Sequence, residues 1–247
     1  MFSLKLRLIS TTFHHCQRQL SYVERARLLE KIKTDDTFCS SQLESAKFLL
    51  YNKGQPLLRK GSGPGDHQAS WVDFENTLKL NPDVKTKSVA LSVDDAGVAR
   101  FATMLGSEAD PVDVEISNSS KFTDLRVGLF LVNGEVAHTL SKGWSLLMWD
   151  RKNKFCSNCG KPLVRSISGA GSKCSECTSV FYPSTSPVGI VSIGDPSTDK
   201  LLLIRQPRYP KGMFSCIAGF LDVGETLEVN LFLNSSDNDY HCYLGLC

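Results

Sequence analysis

Apolar positions along this chain change their spacing several times, and each change predicts a different element. Ser21 and Glu24 have capping-box spacing, in which a hydroxyl and a carboxylate satisfy the free amides of a helix start. Leu28, Leu29 and Ile32 then recur at helical intervals. The same reading at Ser41 and Glu44 predicts a second helix carrying Leu43, Ala46, Leu49 and Leu50, closed by Gly54. Residues 61–65, Gly-Ser-Gly-Pro-Gly, form a loop. Residues 88–93 and 98–105 read as two strands joined at Asp94, Asp95 and Gly97. Between Phe122 and Trp149 the residues Leu125, Leu129, Val132, Val136, Leu140, Leu147 and Met148 recur near helical spacing, while Gly134 and Gly143 weigh against one long helix. Past residue 187 the pattern becomes strand, turn and strand, with β-branched or apolar runs at 188–193 and 201–204.

Composition changes this picture little. The chain has 247 residues, 41% of them hydrophobic and 22% charged, which is enough for a core in one or two domains. A net charge of +2 selects no partner. The five histidines are dispersed and suggest no ligand set.

Cysteine spacing changes it more. Cys156-Ser157-Asn158-Cys159 and Cys174-Ser175-Glu176-Cys177 form a C-x2-C-x14-C-x2-C pattern. Each pair on a tight turn brings two thiolates to one metal ion, and together they complete the tetrahedral sulfur shell preferred by Zn2+. Gly160 and Pro162 follow the first pair as the turn requires, and Gly169 and Gly171 suit a connection between short ribbon strands. Such a closed site has no open coordination position, so the expected zinc is structural. A disulfide or four unrelated thiols is the competing reading. Cys16, Cys39, Cys216, Cys242 and Cys247 follow no pairing pattern and read as reduced thiols of an intracellular compartment.

The first 22 residues narrow that compartment. Lys5, Arg7 and Arg18 alternate with apolar and hydroxyl residues, and no acidic residue precedes Glu24. This composition suits a mitochondrial transit peptide, and Lys5 and Arg7 interrupt what a secretory signal would need as an unbroken apolar core. The competing reading is a basic cytosolic N-terminus. No run is long enough to cross a bilayer, so no membrane partner is expected.

Charge is uneven at 151–183, where Arg151, Lys152, Lys154, Lys161, Arg165 and Lys173 face one acid, Glu176. A basic ribbon of this kind carries nucleic-acid binding as a rival function. Against it, Phe155, Phe181 and Tyr182 flank the ribbon instead of lining its strands.

Beyond the ribbon lies Gly219-x5-Glu225, an acidic, glycine-bounded bend leading towards a helix. Trp149 precedes Phe155-Cys156-x2-Cys159-Gly160; Tyr182-Pro183, Pro187-Val188-x-Ile190, Leu202-Leu203-x-Arg205-Gln206 and Ala218-Gly219-Phe220-x3-Gly224-Glu225-x2-Glu228 follow in order. Over residues 122–228 the chain resembles the NADH pyrophosphatase branch of the Nudix hydrolases. The resemblance implies an α+β protein: a leader at 1–22, an N-terminal mixed α/β domain at 23–150, a zinc ribbon at 151–183, the first part of a Nudix α/β/α sandwich at 184–228, and a divergent tail at 229–247. It implies hydrolysis of the pyrophosphate of NADH or NAD+ to a nicotinamide mononucleotide and AMP, and in some members removal of NAD caps from RNA. Residue by residue, it makes Tyr182, Ala218, Gly219 and Phe220 substrate contacts, the Ala218 carbonyl a ligand of Mg2+ or Mn2+, and Glu225 the first acidic member of the catalytic box. A homodimer is compatible with it.

The chain then departs from the family pattern G-x5-E-x7-R-E-U-x-E-E-x-G-U. Counting from Glu225, the Arg-Glu positions hold Leu233 and Asn234, and the Glu-Glu positions hold Asp237 and Asn238. Hard divalent cations take charged oxygen ligands, so this substitution predicts weak metal binding and no turnover. The expectation is a truncated family member, arising from an alternative transcript or a shortened gene model, that at most holds zinc or partners.

Overall fold

The computed structural model describes residues 19–230, apart from positions 64, 196, 199 and 208. Most of the expected leader, and the tail positions Leu233, Asn234, Asp237 and Asn238, therefore lie outside the described residues. In chain order the elements begin with α1 (Tyr22–Thr34), α2 (Asp36–Leu43), β1 (Lys47–Asn52), β2 (Gln55–Arg59), β3 (Gln68–Ala69) and β4 (Trp71–Asp73). Next are α3 (Phe74–Leu80), α4 (Val84–Lys87), β5 (Val89–Val93), β6 (Ala99–Met104), α5 (Pro111–Ser117) and β7 (Lys121–Phe122). Helices α6 (Leu125–Leu131) and α7 (Gly134–Lys152) lead into β8 (Leu163–Arg165), β9 (Ser172–Cys174) and β10 (Val180–Phe181). Last come β11 (Val188–Val191), β12 (Ile193–Asp195), β13 (Lys200–Leu202) and β14 (Ile217–Phe220). The chain is α+β and divides into two compact units, with the break after Pro183.

Helix α1 starts as the sequence dictates. The Ser21 amide donates to Glu24 Oε2 at 2.8 Å, and the Glu24 amide donates to Ser21 Oγ at 3.3 Å. The second expected helix is a correction. Helix α2 is capped by Asp35, which accepts from the Phe38 amide at 2.9 Å, and it ends at Leu43. Leu49 and Leu50 belong to strand β1, and Gly54 (φ +93°) makes the turn into β2. The four apolar residues Phe48 to Tyr51 are all 0% exposed, and a strand buried on both faces shows no alternation to distinguish it from a helix segment.

Strand β1 is the centre of a seven-stranded mixed sheet of order β3-β2-β1-β6-β5, with β4 also paired to β1 and β7 to β2. It runs parallel to β6 and antiparallel to β2 and β4. Because side chains alternate across a strand, Phe48 packs with Ile32, Leu43 and Phe101 under α1 and α2. Leu49 and Tyr51 pack on the other face with Leu140 and Leu147 of α7. The expected β5–β6 hairpin is present, with a bulge between Ala90 and Ser92.

The apolar stretch from Leu125 divides into α6 and α7 at Val132, and Asn133 caps α7 by accepting from the Val136 amide at 2.9 Å. Gly134 is the first residue of α7, where it does no harm. Gly143 lies inside α7 because a Cβ there would stand 2.7 Å from the Tyr51 hydroxyl oxygen. That hydroxyl donates to the Leu140 carbonyl at 2.6 Å, and burial raises its pKa well above the ordinary value. Tyr51→Phe is expected to cost about 0.5–1.5 kcal/mol, the net worth of one such hydrogen bond, read as a lower urea midpoint with an unchanged slope.

In the second unit, β11 pairs antiparallel with β14 and β12 with β13. Val191, Ile193 and Ile217 form its small buried core, flanked by Leu202 and Ile204. The run at 188–193 is divided at Ser192 into β11 and β12. No helix among the described residues is long and apolar enough to cross a membrane.

Candidate functional site

The ribbon is a three-stranded antiparallel sheet of order β10-β9-β8, with one knuckle before β8 and one after β9. In the first knuckle, Cys156 donates its amide to the Lys161 carbonyl at 2.7 Å and Gly160 donates to the Cys156 carbonyl at 2.8 Å. Gly160 has φ +73°, a conformation that side-chain-bearing residues rarely adopt. In the second, the Cys174 amide donates to the Ser179 carbonyl at 2.9 Å. These turns bring the sulfurs of Cys156, Cys159, Cys174 and Cys177 within 4.8 Å of one another.

The closest sulfur pairs are Cys156 with Cys177 and Cys159 with Cys174, each at 3.5 Å. A tetrahedral shell with zinc–sulfur bonds of about 2.3 Å separates its sulfurs by about 3.8 Å, so the four residues fit such an ion. Among the described residues no other group of three or more His, Cys, Asp or Glu side chains has ligating geometry. Hydrogen bonds from the Ser179 hydroxyl and amide lower the Cys177 thiol to about 5. The Lys161 amide lowers Cys159, yet desolvation and the sulfurs of Cys174, Cys156 and Cys177 push it up to about 12. Four sulfurs this close cannot all carry charge without a metal to compensate them. Cys39 and Cys216 are free thiols, and burial raises Cys39 to about 11.

Arg165, counted from sequence as one of the ribbon's six basic residues, is not available to an outside phosphate. Its Nε donates to Asp150 Oδ1 at 2.7 Å, and the two side chains are 15% and 12% exposed. Its Nη1 donates to the carbonyls of Thr86 (2.8 Å), Ser166 (3.1 Å) and Ile167 (3.1 Å), and its Nη2 donates to that of Ser88. The adjoining loop adds two more ties. The Ala90 amide of the sheet's edge strand β5 donates to Ser168 at 2.8 Å, and the Ile167 amide donates to Asp36 Oδ1 at 2.8 Å. The ribbon is therefore fastened to α2, α4, β5 and α7. No spacing rule connects Arg165 to carbonyls some eighty residues earlier, so sequence reading missed this cluster.

The remaining expected site residues occupy two places. Tyr182 follows β10 at the end of the first unit and is 71% exposed. Ala218, Gly219 and Phe220 lie in β14 of the second unit, and Glu225 lies in the loop after it. Leu221 donates its amide to Pro187 at 3.0 Å, so positions 217, 219 and 221 hydrogen-bond towards β11. Alternate residues point their backbone groups the other way, and the Ala218 carbonyl accordingly faces the edge of β14 away from β11. Phe220 is 74% exposed.

The Glu225 carboxylate is turned inward on its own loop. Its Oε2 accepts from the Asp222 amide at 2.8 Å and from Asn230 Nδ2 at 3.0 Å. The same Asn230 amide group also donates to the Phe220 carbonyl at 2.9 Å, joining β14 to the helical turn at 227–230. Asn230 is 3% exposed and was not foreseen from sequence, since no motif marks its position. Gly224 at φ +80° lets the loop close beneath it.

No family model matches the chain. It is 32% identical over 233 residues to the NAD(P)H pyrophosphatase NUDT13, mitochondrial, of Homo sapiens, an alignment covering 87% of this chain and 64% of that protein. It is 28% identical over 230 residues to the NAD-capped RNA hydrolase ndx-9 of Caenorhabditis elegans, covering 85% and 61%. With the NAD-capped RNA hydrolase NudC of Citrobacter koseri it shares 37% identity over 139 residues, 53% of this chain and 51% of that protein. The chain thus spans somewhat less than two thirds of the human and worm proteins' lengths. Over most of its length the chain is thus similar to NAD(P)H pyrophosphatases and NAD-capped RNA hydrolases.

Proposed function

We propose that this chain carries the zinc ribbon and opening Nudix segment of a mitochondrial NAD(P)H pyrophosphatase, and that by itself it does not hydrolyse the dinucleotide. The reaction assigned to the intact family site is attack by water on the pyrophosphate of NADH, NAD+ or an NAD cap. Both phosphates are anionic, so divalent metals must neutralise charge and orient the water. Phe220 of the second unit is an exposed aromatic that suits stacking on a ring of the dinucleotide, and Tyr182 of the first unit is an exposed aromatic that the resemblance also makes a substrate contact. The Ala218 carbonyl supplies one hard oxygen of the kind Mg2+ or Mn2+ takes.

The observation that carries the reading is the Glu225 carboxylate, which braces its loop through the Asp222 amide and Asn230. Asn234 and Asn238 stand where the family pattern needs carboxylates and Leu233 where it needs an arginine, and Asp237 is the one acid kept at these positions. One carbonyl, one carboxylate already engaged and one further acid are too few hard ligands for a magnesium site, and no catalytic step is assigned through one. The ribbon zinc, held by Cys156, Cys159, Cys174 and Cys177, is structural. A mitochondrial location is supported by the basic, acid-free first 22 residues and by the location in the human relative's name.

Incubating the purified 247-residue chain with NADH and Mn2+ tests this reading. Chromatography is expected to find no reduced nicotinamide mononucleotide or AMP above the protein-free control. Equal amounts of both products, abolished by Glu225→Gln, would overturn it.

A further inference from the structure

Within the first unit, α1 and α7 form the walls of a cleft of about 1060 Å³ whose floor is the edge strand β5 and its turn. Tyr22 and Arg25 line it from α1, Ser92 from β5, and His138, Thr139 and Lys142 from α7. The helix residues recur at intervals of three and four, so each helix presents one polar face to the space.

Two cations in this cleft are poorly satisfied. Lys142 is half-buried, donates to the Leu91 carbonyl, and makes no ion pair among the described residues. Burial, with repulsion from Lys33 of α1, lowers its pKa, as expected for an ammonium that lacks a counter-charge. On the opposite wall, Arg25 Nε is buried without a hydrogen-bond partner although Nη1 of the same guanidinium pairs with Asp95. The Arg25 side chain as a whole is 31% exposed and lines the cleft.

The acids lining the cleft leave Lys142 without a counter-charge among the described residues. Asp94 is committed to the amides of Ala96 and Val98 and to Arg100, and Asp95 to Arg25. Glu135 precedes Lys142 by seven residues on α7, about 10 Å along the helix axis. Tyr22, Ser92 and Thr139 add hydroxyl-bearing residues to the lining of the cleft.

We propose that this cleft binds a small oxyanion-bearing molecule, with the phosphate or carboxylate group seated between Lys142 and Arg25. Charge-assisted hydrogen bonds from an ammonium and a guanidinium are the strong recognition elements for such groups. The site draws on no residue assigned to dinucleotide cleavage or to zinc, so it stands or falls independently of the family activity.

Amine-selective acetylation of the intact chain, followed by peptide mass spectrometry, reads the site directly. At constant ionic strength, inorganic phosphate is expected to slow labelling of Lys142 by a factor of one plus the ligand-to-Kd ratio, about elevenfold at ten times Kd. Exposed Lys47 is expected to be unaffected. Protection by succinate and not by phosphate assigns a carboxylate ligand. No protection by either, or equal protection of Lys47, overturns the proposal. As a second measurement, phosphate is expected to raise the melting temperature of the native chain and not that of Arg25→Gln; an undiminished rise in the variant also overturns it.

Discussion

Stripping zinc from the purified chain with a strong chelator is expected to melt the ribbon outright. Its strands are two or three residues long, and only Cys156, Ser168, Gly169, Gly171, Ser172 and Cys174 are buried within it, so little apolar burial offsets the entropy of ordering it. Structural zinc contributes roughly 10–16 kcal/mol of apparent binding energy in small finger peptides, which is comparable to the whole stability of an ordinary domain. Hydrogen exchange should therefore report loss of protection at residues 156–181, and Cys174→Ser should reproduce it with zinc present. The loss should extend to β5, because Ala90 and Ser88 are bonded to Ser168 and Arg165. Full protection in the zinc-free chain would contradict a metal-built ribbon. Loss confined to 156–181 would contradict the coupling to β5.

The second large effect is expected from Arg165→Met. The substitution leaves Asp150, 9% exposed, with Lys154 as its remaining cation at 3.3 Å, and it removes the donor from the Thr86 and Ser88 carbonyls. Breaking a buried pair by removing one partner costs about 3–5 kcal/mol, since an uncompensated charge stays behind. The urea midpoint should fall accordingly. Adding Asp150→Asn to the same chain should recover part of the loss, giving a measurable coupling energy. Lys161→Met on the exposed knuckle should change stability by no more than about 0.5 kcal/mol. Equal effects from Arg165 and Lys161 would mean that the pair does not fasten the ribbon.

What sequence revealed and what it hid follow from the range of each interaction. The capping box at Ser21, the β5–β6 hairpin and the zinc knuckles are set by neighbours within a few residues, and all were legible. Strand β1 was not, because burial on both faces removes the alternation that identifies a strand. The division between α6 and α7 was anticipated only as a weakness at glycines; the actual break comes at Val132, where Asn133 can cap a new helix. Gly143 needed Tyr51, distant in sequence, to explain it. Arg165 looked like surface charge until the carbonyls of Thr86 and Ser88 came into view. In the second unit the motif named Glu225, but only the three-dimensional loop reveals that Asn230 and the Asp222 amide already engage its carboxylate.

Strand β5 is the outer strand of the large sheet, and Ser168 occupies one of its outward-facing amides. An outer strand left bare is a template for pairing with another molecule. The loop between β8 and β9 therefore shields the margin of a sheet to which the ribbon itself does not belong. A fragment stopping at Lys152 would expose a self-associating margin, whereas one continuing through Pro183 carries its own cover.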